Sequence, residues 1–149
     1  VALLSKRGFT KEQFKMLHPG GALGKSLSFV FDIMHKDMPL VKSESTMQEA
    51  IIVISKFILG CVGVIDNSQK LIGVITDGDL RRHMTSDLLS KSVNDIMTKN
   101  PVTINKNMPV SELLHIKENK KITNVFVVNK TNYPIGLVHI HDIIVRKIV

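Results

Sequence analysis

Two short stretches concentrate the groups that could do chemistry. Thr76-Asp77-Gly78-Asp79-Leu80-Arg81-Arg82 packs a hydroxyl, two acids and two guanidinium groups into seven residues. Thr76 closes an apolar run, so its hydroxyl and the backbone N–H groups of a following helix start would suit a phosphate. Asp79, three residues on, can accept both hydroxyls of a ribose, and Arg81 or Arg82 can close on an anionic group. The same residues also fit a local role, with Thr76 as helix cap and Asp79 as a first-turn acid facing the helix dipole. The second stretch, His139-Ile140-His141-Asp142, sets two imidazoles beside a carboxylate. His139, His141 and Asp142 could ligate a metal, but on a strand-to-helix turn they need not converge. Donors to a carboxylate or phosphate are the preferred reading, and no metal is expected.

Three other features invite chemistry and mostly lose it on inspection. Gly24-Lys25-Ser26 ends like a phosphate-binding loop, yet the glycine required five positions before Gly24 is replaced by Pro19, and a helical pattern precedes it instead of a strand. The lone Cys61 excludes an internal disulfide framework and zinc sites built on paired cysteines; within Cys61-Val62-Gly63-Val64-Ile65 it reads as core. His18, in His18-Pro19-Gly20-Gly21, carries an imidazole that could act as acid or base near neutrality, or could simply cap a short helix.

The elements that must position these groups come in duplicate. Val30, Asp32, Ile33 and Met34 recur 63 residues later as Val93, Asp95, Ile96 and Met97. Gly73, Asp79 and Leu80 fall at the same shift on Gly136, Asp142 and Ile143, and Val64-Ile65-Asp66 on Val127-Val128-Asn129. A tandem repeat of this kind buries a shared face and leaves matching clefts between its units. Each copy reads as helix, strand, strand, helix with a short extended lead-in. In the first, Thr46-Met47-Gln48-Glu49 has capping-box spacing, and Met47, Ala50, Ile51, Ile54 and Ile58 follow helical periodicity. Strands are expected at Val62 to Ile65 and Leu71 to Ile75, joined by the turn-like 66–70 segment. In the second, Pro109 stands near a helix start, Val110, Leu113 and Leu114 share a face, and strands follow around Val125 to Val128 and Ile135 to Val138. Residues 84–92 join the copies, with Leu88 and Leu89 suggesting that the joint also packs. Residues 2–7 and 10–17 have the pattern of short helices.

At 149 residues the chain is long enough to bury about two thirds of its unfolded surface, so a globular α/β module of α+β type is expected. No apolar run is long enough to span a bilayer and no signal-peptide layout opens the chain, which points to a cytoplasmic protein without a membrane partner. The net charge of +7 favours an anionic partner. Nucleic acid is not that partner, since aromatics are only 5% and Trp is absent, leaving few stacking platforms. Lys117, Lys120 and Lys121 read as a solvated face.

The two helix-strand-strand-helix copies, each with a Gly-x-x-x-x-x-Asp element after its last strand, resemble a tandem pair of cystathionine β-synthase (CBS) domains. More narrowly, HPGGALGKSL, VFDIM with PLV, GVITDGDLRR and GLVHIHDII are similar to the C-terminal part of bacterial D-arabinose-5-phosphate isomerases of the sugar-isomerase type. The resemblance implies residues 28–90 as a first CBS domain and 91–149 as a second, related by a pseudo-twofold. Residues 1–27 would then be the end of, or linker from, a sugar-isomerase domain that this chain does not contain.

The same resemblance implies a parent enzyme interconverting ribulose 5-phosphate and arabinose 5-phosphate, whose product feeds synthesis of the acidic sugar Kdo for lipopolysaccharide. The fragment alone should be inactive and hold no cofactor, and His18 would be catalytic only in the full-length enzyme, reaching a neighbouring subunit. CBS pairs generally bind adenosyl or other nucleotide ligands between their units. Thr76, Asp79, Arg81, Arg82, His139, His141 and Asp142 are therefore the expected ligand-binding residues. His139 in place of a hydroxyl, and His141 in the position of Gly78, make the two clefts unequal. A sugar nucleotide with an extra carboxylate, CMP-Kdo, is the expected effector, with an adenine nucleotide as the other candidate. The pair should form a homodimer, within a higher homo-oligomer in the full-length enzyme; a ligand-free oligomerisation module is the rival reading.

Overall fold

The computed structural model describes residues 28–120, 122–141 and 143. The expected helices within 2–7 and 10–17, and the residues His18, Lys121 and Asp142, lie outside them. In chain order the elements are α1 (Val30–Ile33), β1 (Leu40–Lys42), α2 (Met47–Phe57), β2 (Cys61–Ile65), β3 (Leu71–Thr76), α3 (Asp77–Arg82), a 3-10 turn (Leu88–Ser90), α4 (Val93–Ile96), β4 (Thr98–Lys99), β5 (Thr103–Ile104), α5 (Val110–Lys120), β6 (Asn124–Val128) and β7 (Pro134–His139). The fold is α/β, with one sheet ordered β1-β2-β3-β4 and another ordered β5-β6-β7. The described residues fall into two compact units, one from Met34–Asn105 and Asn124–Val138, the other from those within Val1–Ile33, Lys106–Thr123 and His139–Val149.

In the first of these units the sequence pattern explains the layers. Every residue of β2 is buried, whereas β3 alternates buried and half-buried positions. β2 lies inside its sheet, parallel to β1 on one edge and antiparallel to β3 on the other, and side chains pack on both of its faces, so its sequence is continuously apolar. Val62 and Val64 point into a core with Met47, Ala50 and Ile54 of α2. Cys61 and Ile65 point the other way, into a cluster with Leu71, Phe126 and Leu137. Each such fully buried aliphatic side chain contributes about 1.5–3 kcal/mol relative to exposure.

Helix α2 begins as its spacing predicts. Thr46 accepts from the Glu49 N–H and Glu49 accepts from the Thr46 N–H, which completes the capping box and contributes about 1 kcal/mol. Its end corrects one expectation. Ile58 is not part of the buried face: it stands 87% exposed with φ of 57°, closing the helix by donating its N–H to the Ile54 carbonyl. Gly60, at φ 75°, completes the reversal into β2, and two left-handed residues so close together leave no room for another helical turn. At the joint, Leu88 is buried and Leu89 is 52% exposed, so one of the two packs.

The turns of the two copies repeat bond for bond. The turn after β2 is held by Asp66 Oδ1, which accepts from the Ser68 and Lys70 N–H groups at 2.8 and 3.0 Å. After β6, Asn129 Oδ1 accepts from Thr131 and Tyr133, both at 3.0 Å. Gln69 and Asn132 take the same left-handed conformation, at φ 70° and 69°. Each copy also closes the other's sheet. Thr98 and Lys99 of the second copy pair antiparallel with Val74 and Gly73 of the first, and His35 of the first pairs antiparallel with Leu137 of the second. A contact from i to j matched by one from i + 63 to j − 63 is what a local twofold produces. The pairing forces glycine at both crossing points: an added Cβ would lie 2.5 Å from Met97 Sδ at Gly73 and 2.5 Å from Met34 Sδ at Gly136. One contact lacks its mate. Leu71 donates to the Asn132 carbonyl and accepts from its side-chain amide, but the corresponding residue, Pro134, has no N–H to give.

The other unit shows the same exchange. Val30 N–H donates to Met108 O and Val110 N–H to Ser28 O, matching Val93 N–H to Ser45 O and Met47 N–H to Lys91 O. Its buried side chains include Val30, Ile33, Val110, Leu113, Ile140 and Ile143. Helix α5 buries Val110 and Leu113, with Leu114 half-buried; Lys120 is exposed and Lys117 partly covered.

Candidate functional site

The first chemical stretch folds into a strand-to-helix turn. β3 ends at Thr76 because the Thr76 hydroxyl caps α3, accepting from the Asp79 N–H at 3.4 Å, while Asp79 Oδ2 accepts from the Thr76 N–H at 2.9 Å. This is a second capping box, with a shorter acid at its third position. Asp77 and Asp79 sit in the first turn and Arg81 and Arg82 in the last, the order that complements the dipole.

Asp79 is the buried charged residue among those described, at 3% exposure. A carboxylate removed from water needs its acceptor sites filled, and here all are. Oδ2 takes the Thr76 N–H and, at 3.2 Å, the Thr76 hydroxyl. Oδ1 takes Thr98 Oγ1 at 2.9 Å and Arg82 Nη2 at 2.5 Å. Burial pushes the Asp79 carboxyl up, but the Thr76 amide, the Thr98 and Arg82 side chains and the Thr76 hydroxyl together outweigh it and hold the group below the usual carboxylate value. The Arg82 guanidinium also lies over Gly78, where an added Cβ would meet Nη1 at 3.2 Å. Arg81 is exposed and does not join this cluster.

Thus the turn brings together Thr76, Asp79 and Arg82, and adds Thr98, which the motif alone does not reveal. A signal for Thr98 was present. It follows Met97 in the recurrent Asp-Ile-Met element, and the strand carrying it crosses β3 two residues before Thr76. The local capping role of Thr76 and Asp79 is realised in full in this structure. A ribose at Asp79 would have to share or replace a donor already in place.

In the second stretch His139 ends β7, partly exposed, and His141 is exposed. Their rings lie 6.0 Å apart between centroids and are tilted by 54°. Among the described residues no group of three His, Cys, Asp or Glu could hold a metal; the set weighed and set aside from the sequence, His139, His141 and Asp142, includes Asp142, which lies outside them. Cys61 is buried, and burial, with Asp77 adding to it, pushes its thiol up to about 12, so it is a core residue and no nucleophile at neutral pH. Among the described residues no helix is long and apolar enough to cross a membrane.

Comparison with known proteins gives the family and the fold. The family model of the CBS domain matches residues 30–86 and again 93–147. The chain is 37% identical over 149 residues to arabinose 5-phosphate isomerase KdsD of Yersinia pestis, an alignment covering 97% of this chain and 45% of the relative. It is 43% identical over 141 residues to the uncharacterized protein RP505 of Rickettsia prowazekii, covering 93% and 44%. The chain therefore spans less than half the length of these curated relatives. Among solved structures, the CBS domain pair of protein MJ0100 in complex with 5′-methylthioadenosine and S-adenosyl-L-methionine superposes with a TM-score of 0.74 at 26% identity, covering 81% of this chain and 96% of that one. CBSX2 in complex with AMP superposes with a TM-score of 0.70 at 21% identity, covering 80% and 95%.

Proposed function

Since the chain belongs to the CBS-domain family and carries that domain twice, we propose that it is the ligand-sensing part of an arabinose-5-phosphate isomerase, with residues 28–90 and 91–149 as its two domains. The observation that carries this reading is Asp79, a carboxylate 3% exposed at a strand-to-helix turn beside the Thr76 hydroxyl. A carboxylate there can accept a ribose diol, and the hydroxyl and guanidinium beside it can receive a phosphate. The MJ0100 pair, similar in fold and 26% identical, was solved with two adenosine derivatives. His139, His141 and Asp142 supply the second, more donor-rich turn, which suits an effector with an additional carboxylate such as CMP-Kdo. In the longer protein, residues 1–27 lead from the isomerase domain and His18 serves its chemistry. Ligand preference for one arrangement of the pair then shifts the attached catalytic domains, and a cytoplasmic homo-oligomer is the setting.

One observation favours a second reading. The Asp79 acceptor sites are all filled from within the chain, which is what a structural module with silent clefts would also have. Titration calorimetry with AMP, S-adenosyl-L-methionine and CMP-Kdo separates the two. The sensing module gives saturable heat for at least one and loses it in Asp79→Ala; a structural module gives none.

A further inference from the structure

Of the four donors on Asp79, three are fixed by the fold. The Thr76 amide and hydroxyl belong to the cap of α3, and Thr98 is held in β4 by its pairing with Val74. The fourth, Arg82, reaches Oδ1 from the last turn of α3 on a side chain that is 65% exposed. Its guanidinium extends across Gly78. We propose that Arg82 is an exchangeable latch, occupying in the empty protein the acceptor that a ribose diol needs, and that its release makes the site select nucleotides over nucleosides. The proposal rests on Asp79 being the ribose acceptor, as argued above.

The exchange follows from charge. A diol that takes Oδ1 brings hydrogen bonds but no positive charge, so Arg82 loses its ion-pair partner. A neutral nucleoside leaves the displaced guanidinium with water alone. A nucleotide returns an anion to it, within reach of a long side chain that is mostly solvated, and a planar fork of N–H donors matches a phosphate edge. Release costs the guanidinium little, because it is mostly solvated and water receives it, and the buried carboxylate keeps a hydrogen-bond partner on Oδ1 in the diol. Gly78 belongs to the same device: a Cβ at this position would press on Nη1 at 3.2 Å while meeting Thr76 Oγ1 at 3.6 Å and Nη2 at 3.8 Å in ordinary contact, so only the far end of a flexible side chain need move.

The test is calorimetric titration of the whole chain with AMP and with adenosine, using wild type, Arg82→Leu, Gly78→Ala and Asp79→Asn. Removing the latch should tighten adenosine by about three- to tenfold, while the preference of wild type for AMP over adenosine should fall by about tenfold. Gly78→Ala should tighten adenosine in the same direction and by less. Asp79→Asn should weaken both ligands. Adenosine binding unchanged or weakened in Arg82→Leu, with AMP still bound by wild type and lost in Asp79→Asn, overturns the latch and leaves the site standing. No binding of either ligand to wild type or to Arg82→Leu overturns the site and the latch together.

Discussion

Replacing Gly73 by alanine tests whether the two copies are built on one plan. The new Cβ would lie 2.5 Å from Met97 Sδ, 2.9 Å from Met97 Cγ and 3.1 Å from the Thr98 carbonyl oxygen. At Gly136 it would lie 2.5 Å from Met34 Sδ, 2.9 Å from Met34 Cγ and 3.2 Å from the His35 carbonyl oxygen. Carbon contacts are comfortable near ~3.5–4.0 Å, so the methionine must move by about 1 Å or the crossing strand must lift. The methionine can rotate, whereas the carbonyl moves only with its strand. Overpacking of this kind costs about 1–3 kcal/mol, and in a chain of this size each kcal/mol lowers Tm by about 2–4 °C. Urea unfolding of Gly73→Ala and Gly136→Ala should give equal losses within about 0.5 kcal/mol. Met97→Ala should relieve Gly73→Ala with a coupling of about 1 kcal/mol, and Met34→Ala should relieve Gly136→Ala likewise, while the crossed pairs add independently. Losses that differ by more than about 1 kcal/mol, or relief that ignores which methionine is removed, would refute the reasoning.

Two further outcomes are expected. Ile58→Asn should raise stability by about 0.5–1 kcal/mol, read as a higher urea midpoint, because a β-branched residue at φ 57° is strained and its side chain, 87% exposed, gives up little burial. Asp79 has a folded value below its unfolded one, so it contributes stability at neutral pH that is lost as pH falls through the folded value. The advantage of wild type over Asp79→Asn, measured by urea unfolding, should therefore be constant above about pH 5 and shrink at lower pH.

How far the sequence could be read differs by element. The capping box at Thr46 and the buried face of Met47, Ala50 and Ile54 follow from spacing alone, because both are local. β2 was legible as an apolar run, though its observed bounds, Cys61–Ile65, start one residue earlier than the pattern suggests. Ile58 fits the helical period yet lies off the buried face; what ends the helix is the backbone reversal through Gly60, to which periodicity is blind. The cluster around Asp79 was half legible. Thr76 and Arg82 are its neighbours along the chain, but Thr98 arrives from 19 residues away through strand pairing. Residue types could not show that Asp79 has every acceptor filled, since that depends on where Arg82 turns.

The reciprocal strands make each half depend on the other. One half of the chain alone would end in a sheet with its last edge uncovered, a liability for any small β-containing protein. The segment that covers that edge is carried by the half itself, aimed outward: His35 serves Leu137, as Thr98 serves Val74. Two copies of a single half would satisfy each other, so each half is built to pair with its like. A tether between two such halves makes their association a matter of linker length and not of protein concentration, at an effective concentration in about the millimolar range. The two halves are not copies to the last residue: Pro134 lacks the N–H that the corresponding Leu71 uses, and His139 stands where the other half has Thr76.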